Sequence, residues 1–83
     1  MPVYLDHHPT TPNMPPELLT MIIQRLGSGE PDEFGEVGLH VFVGAEQTWC
    51  HTQAPSVDAV RRSHQALGID VDPQDVAEVQ VLP

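Results

Sequence analysis

An 83-residue chain has room for one core, so residues 1–83 are read as a single domain. Twelve acidic residues face only Arg25, Arg61 and Arg62, and the resulting net charge of -9 excludes recognition of a phosphate backbone or docking on an anionic membrane. A lone cysteine, Cys50, excludes an intramolecular disulfide, so a thin core would draw extra stability from a partner subunit or a bound metal.

The first residues, MPVYLDHHP, lack the basic and apolar regions of a signal peptide, and no apolar run is long enough to span a bilayer, so a cytoplasmic location is expected. Val3–His8 alternates as a first strand, with Val3, Leu5 and His7 on one face and Tyr4, Asp6 and His8 on the other. The Pro- and Thr-rich stretch 9–13 breaks it. Pro15-Pro16-Glu17 starts a helix, with proline in the first turn and an acid near the positive end of the dipole. Leu19, Ile22, Ile23 and Leu26 follow at helical spacing, and Gly27-Ser28-Gly29 ends the helix. Glu30–Glu36 reads as an acidic, solvated connector.

Val37–Val43 is the strongest strand pattern. A turn at Gly44-Ala45 joins it to a strand over Glu46–Gln53, forming a hairpin. A two-residue turn would set Val43 against Glu46 and His40 opposite Trp49. Ser56 is a natural N-cap for a second helix, on which Val60, His64 and Leu67 share a stripe and which Gly68 closes. After a turn at Asp72-Pro73-Gln74-Asp75, Val76–Leu82 alternates again, with Ala77, Val79 and Val81 on one face.

The order β-α-β-β-α-β predicts an α+β, ferredoxin-like sandwich: a four-stranded antiparallel sheet of order 4-1-3-2 with two helices on one face. Hydrophobicity assigns Val3, Leu5, Val37, Leu39, Val41, Val43, Cys50, Val79 and Val81 to the covered face. Tyr4, Asp6, His8, Gly38, His40, Phe42, Trp49, His51, Glu78 and Gln80 fall on the open face. Three of the four aromatic residues lie on that open face, which marks it for association or ligand binding. Two such faces packed together would make a homodimeric α/β barrel.

Five histidines, His7, His8, His40, His51 and His64, are the chemical signal, because imidazole is the commonest transition-metal ligand. His8, His40 and His51 share the open face with Asp6, a set suited to Ni²⁺, Zn²⁺ or Cu²⁺. Ligation needs neutral imidazole, so binding should weaken below about pH 6.5. His7 and His64 are expected to meet at one end of the core, and Cys50 to pack as a small hydrophobe. No CxxC or HExxH signature and no phosphate-binding Gly loop is present.

Three stretches together resemble a family of small bacterial ferredoxin-like proteins of poorly known function that includes a nickel-binding member. Tyr4-Leu5-Asp6-His7-His8 looks like the family's first strand. Thr48-Trp49-Cys50-His51-Thr52-Gln53-Ala54-Pro55 looks like its aromatic-Cys strand running into Ala-Pro. Ser56–Gly68, with His64 before Leu67-Gly68, is similar to its second helix. The resemblance implies a nickel-type metal site at His7, His8 and His64, with Asp6 beside them, and subunits that pair through their sheets. This chain departs from the pattern in its first helix, where Met21, Ile22 and Arg25 stand in a region that often carries His and Asp.

These readings lead to a small dimeric protein that sequesters or senses a transition metal, nickel before zinc or copper. A second site or cavity would be formed by His40, His51, Tyr4 and Trp49. One alternative is a dimeric α/β-barrel enzyme or small-molecule binder, in which a sheet-face histidine acts as general acid or base. Another is an interaction module whose histidines only pack.

Overall fold

The computed structural model describes residues 1–9 and 15–83; most of the strand break expected at 9–13 lies outside them. The elements are β1 (Val3–His8), α1 (Pro16–Leu26), β2 (Val37–Val43), β3 (Thr48–Gln53), α2 (Val57–Ala66), a short 3-10 turn (Pro73–Asp75) and β4 (Val76–Val79). All pairings are antiparallel, and the sheet runs β2-β3-β1-β4. No described helix is long and apolar enough to cross a membrane.

Local signals explain the helices. Proline opens α1, with Glu17 in its first turn and Arg25 in its last, each matched to the helix dipole. The Ser56 hydroxyl accepts the Ala59 N–H at 3.1 Å and so caps α2. Gly68, at φ 80°, takes the left-handed conformation just beyond the end of α2. The stripe of α1 is rotated from the expected one: Leu18, Ile22 and Leu26 are half-buried, while Leu19 and Ile23 are exposed. Gly38 admits α1 closely, since a Cβ there would sit 3.0 Å from Leu26 Cδ2.

Two features of the sheet differ from the sequence reading. The hairpin loop is longer than two residues: Val43 pairs with Thr48 and Phe42 with Trp49. An irregularity between Gly38 and His40 leaves Leu39 without a partner in the register. Such a bulge reverses the alternation, so Gly38 joins the helix-covered face while His40 stays on the open one. His40 consequently pairs with His51 and not with Trp49.

The larger correction concerns β1 and β4. Residues directly opposite in antiparallel strands share a face. Tyr4, Asp6 and His8 pair with Thr52, Cys50 and Thr48, and on the other side Tyr4 and Asp6 pair with Glu78 and Val76. This face is the covered one: Tyr4, Asp6 and His8 are buried under α2. Val3, Leu5 and His7 lie on the open face, with Ala77 and Val79. Hydrophobicity assigned the two faces the other way round. The apolar core is correspondingly small, consisting of Tyr4, Ala54, Ala59 and Val60, with Phe34, Val57 and Val76 against it. Beside it lies a polar interior of Asp6, His8, Thr48, Thr52, Ser63 and His64.

Candidate metal centre

Three elements deliver four donors to that polar interior. Alternation on β1 turns Asp6 and His8 inward; β3 sets Cys50 directly opposite Asp6; and α2 places His64 one turn beyond the fully buried Val60. One donor atom from each of Asp6, His8, Cys50 and His64 lies within 4.8 Å of all the others. Asp6 is the hub. Its Oδ2 is 2.7 Å from His8 Nε2 and 3.1 Å from His64 Nε2. Cys50 Sγ lies 3.5 Å from His8 Nε2.

The His64 ring is anchored from behind, because its Nδ1–H donates to the Val60 carbonyl at 2.8 Å. That bond directs Nε2 toward Asp6, the arrangement by which outer partners orient a metal-ligating histidine. Glu36, also half-buried, puts Oε1 3.8 Å from His64 Nδ1. Asp6 is fully buried; its Oδ2 faces both imidazole nitrogens, and its Oδ1 has no hydrogen-bond partner among the described residues. A desolvated carboxylate is costly unless positive charge, on the two imidazoles or on a bound metal ion, compensates it.

Electrostatics follow from the contacts. Burial pushes the Asp6 carboxyl up, but the imidazoles of His64 and His8 outweigh it and hold Asp6 below its usual range. Asp6, with a contribution from Cys50, pushes His8 up to about 9. Burial opposes charge on His64, yet Asp6 and then Cys50 prevail and raise it to about 11. Burial likewise raises the Cys50 thiol, and the neighbouring imidazoles of His64 and His8 more than reverse the effect, shifting it toward thiolate. Burial raises Glu36.

The expected residues therefore divide differently. Asp6, His8 and His64 come together. His7 does not: it is on the open face, stacked on Trp49 at 5.5 Å with its Nε2 2.7 Å from Gln47 Oε1. Tyr4 belongs to the apolar core, so it lines no open-face cavity with Trp49. His40 and His51 form a separate outer pair and are not joined by His8, which lies on the other side of the sheet. Burial, with His40 close by, lowers His51 below the ordinary imidazole range.

Two participants escaped the sequence reading. Cys50 was assigned to the covered face, but as packing. Its partnership with Asp6 becomes visible only with the strand register. The acidic connector is also structured: Asp32 Oδ1 accepts the Phe34 and Glu36 N–H groups, each at 2.9 Å, and Asp32 Oδ2 accepts the Ser63 hydroxyl. This ties the loop to α2 and brings Glu36 beside His64. The Asp-x-Phe-Gly-Glu pattern at 32–36, with a carboxylate positioned to receive N–H groups two and four residues on, is a turn signal that could have located it.

No protein-family description matches this chain, and no curated protein does. Among solved structures it is similar to SCO4226 from Streptomyces coelicolor A3(2), with a TM-score of 0.68 and 22% identity over 98% of this chain and 99% of that one. The likeness establishes the fold: a small α+β protein with a four-stranded antiparallel sheet and two helices, compatible with a ferredoxin-like arrangement. In this chain the fold carries a group of Asp, two His and Cys that could hold a metal ion.

Proposed function

We propose that this protein binds one transition-metal ion through Asp6, His8, Cys50 and His64, nickel first and zinc or copper after it, and serves in sequestration or sensing. The observation that carries the reading is the convergence of the buried Asp6 carboxylate with three further ligand side chains, one donor atom of each lying within 4.8 Å of all the others. Two imidazoles, a thiolate and a carboxylate suit borderline divalent ions. Nickel comes first because of the resemblance of the Asp6-His7-His8 and His64 segments to a family with a nickel-binding member. Holding an ion is favoured over catalysis because the donors are enclosed, whereas a catalytic metal keeps an open position for substrate.

Titration of tag-free protein with Ni²⁺ tests the reading. One equivalent should bind and produce a thiolate-to-metal charge-transfer absorption. That band should vanish in Cys50→Ser, and affinity should fall at least about tenfold in His64→Ala. Nickel uptake with no such band, or uptake indifferent to both substitutions, would refute it.

We further propose that a second copy of the chain covers the open sheet face in a homodimer. Phe42 is 51% exposed there, next to Trp49 and His7, and no described helix packs over them. Sedimentation should report a dimer that Phe42→Asp converts to monomer; a monomeric parent protein would end this idea.

A further inference from the structure

His40 and His51 face one another directly across β2 and β3, on the side of the sheet away from Asp6. Their rings are nearly parallel, at 10°. The centroid separation of 5.5 Å less the Nδ1···Nδ1 distance of 3.2 Å leaves 2.3 Å, which equals twice the distance from an imidazole's centre to its ring nitrogen. The two nitrogens thus lie on the line joining the ring centres, and their in-plane lone-pair axes meet head-on. Two neutral imidazoles so placed share a single Nδ1 proton, one donating and the other accepting.

The same axis is the coordination geometry of a linear, two-coordinate cation. We propose that His40 and His51 form a second metal site, specific for one soft univalent d¹⁰ ion of the Cu⁺ or Ag⁺ kind. Divalent borderline ions ordinarily take four or more donors. Here there are two neutral nitrogens, and among the described residues no carboxylate is paired with either ring. With metal–nitrogen bonds of about 2 Å, the nitrogens must stand about 4 Å apart, so the rings separate by less than about 1 Å. His51 is the fixed half, being buried on an inner strand of the sheet. His40 is the adjustable half, exposed on the edge strand beside the irregularity at Leu39.

The proton balance also distinguishes this site. The shared proton moves to Nε2 of the ring that carried it, so both Nδ1 atoms become ligands while both imidazoles stay neutral. Ion entry releases no proton. The neighbouring Phe42 ring, stacked on His40 at 6.0 Å, gives the ion an apolar flank.

The probe is Ag⁺, which avoids copper redox chemistry, added as nitrate in chloride-free buffer to Cys50→Ser protein so that the thiol does not compete. Long-range ¹H–¹⁵N spectra report each imidazole nitrogen. The Nδ1 signals of His40 and His51 should shift together and saturate at one equivalent. His40→Phe, a change on the open face that a second copy is proposed to cover, should remove that equivalent and weaken silver binding at least about tenfold, with the far-UV spectrum and the sedimentation of the protein unchanged. Static Nδ1 signals, silver held only at His8 and His64, or equal uptake by the His40→Phe variant would overturn the proposal. The pair lies across the sheet from Asp6, so this outcome is independent of whether the inner site takes nickel.

Discussion

Nickel binding to tag-free protein at pH 7 is expected to release at least two protons per ion, with affinity rising at least about a hundredfold per pH unit up to about pH 9. Both imidazoles of the inner site are held charged by Asp6, His8 up to about 9 and His64 up to about 11. Each must lose a proton before its Nε2 can ligate. The Asp6 carboxyl and the Cys50 thiol are already shifted toward their anionic forms. A divalent ion therefore replaces the two imidazolium protons charge for charge and adds no net positive charge to the low-dielectric interior. Between about 9 and 11 only His64 remains to be deprotonated, and the slope should halve. Calorimetry in buffers of differing ionisation enthalpy measures the proton count. A count near zero would mean that the metal-free imidazoles are neutral and that Asp6 does not control them. The expectation from free imidazole, that binding weakens only below about pH 6.5, is thus displaced upward by the carboxylate between the rings.

That carboxylate also explains which parts of the structure were legible in the sequence. Proline, Ser56 and glycine signals located the helices, and alternation located the strands, because those features depend on local backbone chemistry. The faces of β1 could not be read the same way. Val3 and Leu5 are more apolar than Tyr4, Asp6 and His8, so hydrophobicity alone turns Val3 and Leu5 inward. The fold instead buries the polar set, since Asp6, His8, Cys50 and His64 compensate one another. A functional site is where local preference is expected to be overruled. The same reversal on β4 follows through its register with β1. His40 was misplaced for another reason: the irregularity at Leu39 and the longer hairpin loop leave no strong mark in composition. The His7 assignment failed because neighbouring strand residues point to opposite faces, so only one of His7 and His8 can reach His64.

Replacing Asp6 with Asn should cost the metal-free protein about 3–5 kcal/mol at pH 7, because it leaves two buried imidazoles without their counter-charge. The pH dependence should change as well. In the parent protein His8 is raised from 6.5 to about 9, so its stabilisation is fully present below pH 6.5 and is lost as pH climbs through about 9. His64 behaves in the same way up to about 11. Asp6, lowered from 3.8, acts in the opposite sense: its contribution is present above pH 3.8 and is lost as pH falls through its depressed value. Metal-free parent protein should therefore lose stability steadily from pH 7 to pH 10, whereas bound nickel, which keeps both rings deprotonated in place, should abolish that decline. In Asp6→Asn, burial lowers the imidazoles against only the smaller upward push of Cys50 and, for His64, Glu36, so the alkaline loss should shrink and the two proteins should draw together as pH approaches about 11. Urea unfolding at pH 7 and pH 10 measures the difference. A loss of this size approaches the whole stability of a domain this small, so the parent protein's own decline, with and without nickel, provides a test that does not require the variant to fold. A parent protein equally stable at both values would show that Asp6 does not hold His8 and His64 charged, and the two-proton exchange would fall with it.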